Sequence, residues 1–263
     1  MIPLATALLV AFLLPALDAA ELVKAASGSG VVGYKDTPVL PWCGFHVHDP
    51  DRPEPKRVDP GTAGTLALPA TPPADAIVLF DGKDLSQWQP TEYKVGNGYF
   101  EAVGDGQLTT KESFGSLQIH LEWMAPNPPE GDPFNRGNNG VFLMGLYEIQ
   151  IFDSYNEKLY PDGQAAAVYA QTPPLVNVTR KPGQWQTYDI LFLAPKFDGD
   201  KLVEPARVTM LHNGVLVHLN QQIYGETGHR ILPEYKTKTS RGPLVLGGHH
   251  NPVRFRNIWV RPL

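Results

Sequence analysis

The stretch YEIQIFDSY, from Tyr147 to Tyr155, carries Glu148, Gln150 and Asp153 in a segment that otherwise alternates like a strand. In an extended chain Ile149 and Ile151 share one face and Glu148 and Gln150 the other, so the first pair belongs to a core and the second to solvent or a groove. Asp153 has the opposite parity from Glu148. It joins the polar face only if a β-bulge inserts one residue between them, a device common beside active sites. Solvated strand faces also carry Glu and Gln for solubility alone, so the spacing leaves both readings open. The flanks add weight to chemistry. Upstream, FNRGNNG (134–140) places Arg136 and Asn138 on a Gly-rich loop that a ligand can approach closely. Downstream, 154–171 is rich in tyrosine, asparagine and small residues. Aromatic faces beside amides and carboxylates suit a sugar, whose C–H faces stack while its hydroxyls need polar partners. Trp123, Trp185 and Tyr169 could supply such faces, although each also reads as a core residue.

Short strands must position these groups. IVLF (77–80), SLQIHLEW (116–123), GVFLM (140–144), YEIQIF (147–152), WQTYDILFLA (185–194), ARVTMLHNGVLVHL (206–219), PLVLGG (243–248) and VRFRNIWVRPL (253–263) are apolar or alternating runs. Asn213-Gly214 between two of them is a hairpin signal, because both residues accept positive φ. No i, i+3, i+4, i+7 apolar pattern persists, and no repeat period stands out. The pattern predicts an all-β, two-sheet jelly-roll sandwich over 76–263. The 26 prolines and 25 glycines suit such a turn-rich fold. Residues 21–75 are too dense in proline for helix or central strand, and read as an extended arm that wraps the following domain. Within it HVHD (46–49) offers potential metal ligands but reads first as a surface turn.

Composition narrows the partners. With 263 residues, of which 42% are hydrophobic, the chain can bury one sizeable core. A net charge of −5 argues against nucleic acid, and no block of like charges suggests a polyanion or an acidic membrane. The apolar run near the start, Leu4 to Leu14, has the length of a signal-peptide core and is too short to span a bilayer. Residues 1–20 are therefore expected to direct export to the periplasm or the outside, leaving a protein with no membrane attachment. The single Cys43 excludes an intrachain disulfide. No cofactor is expected. A structural calcium would suit the architecture, but no loop has a diagnostic set of oxygen ligands.

Two resemblances sharpen the chemistry. Glu148-x-Gln150-x-x-Asp153 is similar in outline to the Glu-x-Asp-x-x-Glu signature of laminarinase-like retaining glycosidases, in which two carboxylates flank the scissile bond. Here the middle acid is an amide and the last acid is shortened. The second resemblance is broader. LFDGKDLSQW (79–88), RGNNGVFLMGLYEIQIFDSY (136–155), KPGQWQTYDI (181–190), LHNGVLV (211–217) and NPVRFRNIWVRPL (251–263) resemble, in order, the 3-keto-disaccharide hydrolase domain family. That resemblance implies an exported jelly roll acting on 3-oxo-glycosides. A ketone at C3 acidifies the C2 proton, so a base can start elimination of the C1 substituent, and water then adds to the enone. The route needs one base, a stabiliser for the enolate oxygen and an acid for the leaving group. It implies Glu148 or Asp153 as base, and His249 or Lys111 as acid or oxygen ligand. Gln150 and Asn138 would hold sugar hydroxyls. Adjacent His249 and His250 face opposite ways on a strand, so only one of them is expected to serve the groove. A conventional retaining glycosidase and a carbohydrate-binding module without chemistry remain the alternatives.

Overall fold

The computed structural model describes residues 21–62, 70–129, 132 and 134–263. The expected export signal lies outside them, and among the described residues no helix is long and apolar enough to cross a membrane. Two antiparallel sheets face each other. The smaller has four strands in the order Tyr147–Ile151, Asn139–Leu143, Gly242–Gly247, Gln107–Phe114. The larger runs Val215–Gln222, Arg207–His212, Gln186–Leu193, Leu117–Met124, Arg254–Pro262, Tyr99–Glu101, Lys94–Gly96, and Ile77–Phe80 pairs with the 254–262 strand. This is an all-β sandwich of jelly-roll class.

The core lies between the sheets. Ile149 and Ile151 point into it as their parity requires, and the neighbouring Tyr147 ring meets Phe192 and Tyr235 from the far side. Ile119, Leu121, Tyr188 and Ile190 answer from the larger sheet. Asn213 and Gly214 adopt φ of 53° and 78°, which closes the hairpin between 207–212 and 215–222. The strand Gln107–Phe114 was not legible as one, because QLTTKESF carries few apolar residues. It forms an outer strand of its sheet, anchored by the buried Leu108 and Phe114.

The arm is ordered by pairing with the domain and by a small apolar cluster in which Leu40 and Val47 pack with Ala170. Lys56–Arg57 runs parallel to Val176–Asn177, and the Val32 amide donates to the Lys158 carbonyl at 3.0 Å. The HVHD stretch is not the surface turn its composition suggests, since His48 and Asp49 are 0% and 2% exposed. Among the described residues no group of three or more His, Cys, Asp or Glu side chains could hold a metal.

The outward face of the Leu117–Met124 strand is also covered, which simple alternation does not foresee. A bulge between Arg256 and Trp259 brings consecutive residues onto one face, so both reach the Glu122 carboxylate. Arg256 Nε donates at 2.6 Å and Asn257 Nδ2 at 2.9 Å. His120 completes the group, with Nδ1 2.6 Å from Asp189 and its ring stacked on Trp259. Burial opposes a charge on His120, yet its hydrogen bonds to the Asp189 and Glu122 carboxylates outweigh it and raise the imidazole to about 9. A raised imidazole stabilises the fold below its unfolded value near 6.5, and that contribution disappears as pH climbs through about 9. Denaturant titrations between about pH 6 and about pH 10 should show this loss, and His120→Gln should flatten it. Parallel curves for the two proteins would exclude His120 as the cause.

Candidate active site

A cleft of about 690 Å³ crosses the outer face of the smaller sheet. All four strands contribute to it, through Glu148 and Gln150, Phe142, Gly247, and Gln107. The hollow is made by what is missing. Gly140 pairs opposite Gln150 and also opposite Gly247, so two glycines meet across adjacent strands at the floor. A Cβ built on Gly140 would lie 2.5 Å from Glu148 Oε1 and 2.7 Å from the Phe142 ring. Glycine thus leaves the space in which the Glu148 carboxylate rests.

Glu148 and Gln150 are 6% and 2% exposed, so the polar face of this strand is a buried one. The 166–169 segment covers the strand's outer edge. Gln150 exchanges hydrogen bonds with the backbone of Ala166 and Ala167, and Tyr169 N–H donates to the Glu148 carbonyl at 3.0 Å. Burial without a countercharge pushes the Glu148 carboxyl up to about 8. Gln150 Oε1 is buried without a protein partner, as is Asn138 Oδ1. A ligand hydroxyl is the natural donor to such atoms.

The ends of the cleft come from loops. Asn138, Phe134 and His249 close one end. His249 is held below its usual value by burial, with the neighbouring His250 acting in the same direction against Asp105, so its ring is neutral at neutral pH. His250 turns outward to Asp105 at 2.6 Å, so only one histidine serves the cleft, but not by strand alternation as expected, since the strand ends at Gly247 and His250 has a φ of 58°. Opposite stand Tyr160, Tyr169, Thr227, His229, Tyr34 and Leu22. The Tyr169 hydroxyl and His229 Nδ1 are hydrogen-bonded at 2.9 Å. Burial, aided by the electrostatic influence of neighbouring His48 and Arg230, pushes His229 down to about 4.

Of the residues singled out from sequence, Asn138, Glu148, Gln150, Tyr169 and His249 line this cleft. Four do not. The strand ends at Ile151 with no bulge in its pairing, and Asp153 lies beyond it under the 136–138 loop, taking the Tyr155 amide at 3.3 Å. Burial raises its carboxyl against the pull of Tyr155 and Arg136. Arg136 is drawn away to Glu157. Lys111 donates to the Ser86 carbonyl at 2.8 Å and borders a separate depression beside Trp88. Trp185 packs under the Arg256 guanidinium at 4.1 Å, on the larger sheet. Trp123 is core, against Tyr188 and His212. Missed from sequence were Gln107, Tyr160, His229 and the arm residues Tyr34 and Leu22. Tyr160 sat within a stretch already noted for its tyrosines; His229, Tyr34 and Leu22 carried no local signal.

Residues 75–261 match the model of the 3-keto-alpha-glucoside-1,2-lyase-like domain. The chain belongs to that family. Its members' carbohydrate-active, hydrolase-like character accords with a polar cleft of this size. A crystal structure described as a glycosyl hydrolase from Parabacteroides distasonis is 41% identical with a TM-score of 0.69, covering 72% of this chain and 84% of that one. A second so described, from the same organism, is 21% identical with a TM-score of 0.54, covers 72% of this chain and 99% of that one, and supports the fold alone. No curated protein matches the chain.

Two outcomes follow from the floor. Gly140→Ala should leave the fold intact, because the atoms it meets belong to two side chains that border the open cleft, but it should swing the Glu148 carboxylate and the Phe142 ring out of place; unchanged turnover with unchanged melting would refute this placement. Glu148 binds its proton more tightly folded than unfolded, so its burial costs stability as pH rises from about 4.5 to about 8. Glu148→Gln should therefore raise the melting temperature more at about pH 8 than at about pH 4.

Proposed function

We propose that this cleft cleaves 3-oxo-glycosides by base-initiated elimination followed by hydration. The observation that carries the reading is Glu148, a carboxylate desolvated in a sugar-sized hollow with no countercharge. A base tuned near neutrality combines adequate ionisation with strong proton affinity. Glu148 removes the C2 proton, and the electron pair passes to the C3 oxygen, where the neutral His249 ring donates a hydrogen bond to the growing charge. The C3 carbonyl re-forms as the C1–O bond breaks. Tyr169, whose hydroxyl burial keeps protonated, supplies the proton to the departing oxygen. Water then adds across the enone. Its hydroxide joins C1, its other proton restores Tyr169, and Glu148 returns its own proton to C2. Gln150 and Asn138 hold the sugar hydroxyls meanwhile.

A two-carboxylate retaining route would require a second acid flanking C1. Asp153, the residue the motif offers for that role, turns away beneath the 136–138 loop. A binding module without chemistry would have no reason to bury an uncompensated carboxylate.

Methyl 3-oxo-glucoside and methyl glucoside distinguish these readings. The oxo-sugar should be cleaved, with kcat/KM rising with pH through about 8 as Glu148 ionises. Glu148→Gln should lower the rate about 10²- to 10⁴-fold, the usual contribution of a general base. Cleavage of the plain glucoside alone would favour a conventional glycosidase, and binding of both sugars without turnover would favour the module.

A further inference from the structure

The matched family domain begins at residue 75, yet the cleft wall includes Tyr34 and Leu22 from the arm before it. The arm also reaches behind that wall. His48 is 0% exposed, its Nδ1 lies 3.1 Å from Asp162 Oδ1, and its own amide donates to Asp162 Oδ2 at 3.1 Å. Arg52 Nη1 stands 3.5 Å from the same Oδ2. Asp162, itself fully buried, sits in the single turn Pro161–Gly163 directly after Tyr160, and its carbonyl accepts the Ala170 amide next to Tyr169. One arm-held carboxylate thus fixes the chain between the two cleft tyrosines. The His48 ring packs 4.0 Å from Tyr160 and 5.1 Å from both Tyr169 and His229, centroid to centroid. Its Nε2 is buried without a partner.

Apolar residues would be enough for a strap. A buried carboxylate is different, because removing the groups that hydrogen-bond to it and offset its charge leaves it uncompensated in the interior. Without His48 and Arg52, Asp162 could not keep its present place, and the 160–169 wall would rearrange.

We propose that the N-terminal arm is a working part of this site: Tyr34 forms its far wall, and His48, through Asp162, is the positioning residue for the Tyr160, Tyr169 and His229 group. The inference rests on the functional reading only for its kinetic arm. In the full-length protein His48→Ala should lower kcat on the oxo-glucoside about 10²-fold, the scale of a displaced catalytic group, with a smaller change in KM. His48→Asn, whose side-chain amide can still donate to Asp162, should recover much of that loss. Tyr34→Ala should raise KM while leaving kcat nearly unchanged. Arg57→Ala, which frees the arm from the Tyr155 and Thr179 carbonyls far from the cleft, should alter neither.

A second readout needs no turnover. In crystal structures of the variants, the 2.9 Å hydrogen bond between the Tyr169 hydroxyl and His229 should be lost in His48→Ala and kept in Arg57→Ala. If the wild type cleaves no oxo-sugar, the functional reading fails while this hydrogen bond still judges the arm. An intact Tyr169–His229 bond in His48→Ala, or equal effects from His48→Ala and Arg57→Ala, would overturn the proposal. Should His48→Ala not fold, His48→Asn and Tyr34→Ala are compared with the wild type on the same two readouts. No KM change in Tyr34→Ala would then refute the wall, and loss of the Tyr169–His229 bond in His48→Asn would refute positioning through Asp162.

Discussion

Everything in this molecule that bears on chemistry depends on keeping one carboxylate out of water. Glu148 stands on a strand whose two faces are both buried, over a floor from which Gly140 and Gly247 have removed the side chains. Desolvation disfavours the charged form, and no Lys or Arg among the described residues offsets it, so the group holds its proton far above the ordinary carboxyl range. On the proposed reading, stability is given up for reactivity at a single point. The rest of the sandwich, with its continuous core and its outer ion cluster around Glu122, supplies the rigidity that lets this point persist.

The two sheets divide the labour. The larger sheet carries most of the strands and the compensated charges, in which every carboxylate of the cluster meets a cation or an amide. The smaller sheet is short, glycine-rich at its centre and opened outward. The carboxylates carried by the two sheets are therefore treated in opposite ways: Glu122 is paired, Glu148 is left without a countercharge among the described residues. Desolvation alone does not identify a functional carboxylate, since Glu122 and Asp162 are equally inaccessible but keep lowered pKa values through their partners. The lack of a partner is what separates Glu148.

Much of this was legible in the sequence. Period-two alternation placed Ile149 and Ile151 inward and Glu148 and Gln150 together, and Asn213-Gly214 announced its hairpin. The depth of the cleft was not legible, because it arises where Gly140 meets Gly247 across a pairing of residues distant in the chain. Nor was the fate of Asp153, since the strand ends two residues before it and parity no longer applies. HVHD was visible as a cluster of ligand-like residues, but its meaning depended on Asp162, 114 positions away. His229 and Tyr34 had no periodic or motif context at all. Alternation reveals which side a residue takes; only tertiary packing decides what waits on that side.

The backbone of residues 166–169 has one more consequence. The strand that bears Glu148 ends its sheet, and a terminal strand with free amides and carbonyls is a template on which a second molecule can add its own. Ala166, Ala167 and Tyr169 occupy those groups first. The segment that shapes the wall of the cleft is thus also a guard against intermolecular aggregation, and whatever loosens that wall lays bare an adhesive margin.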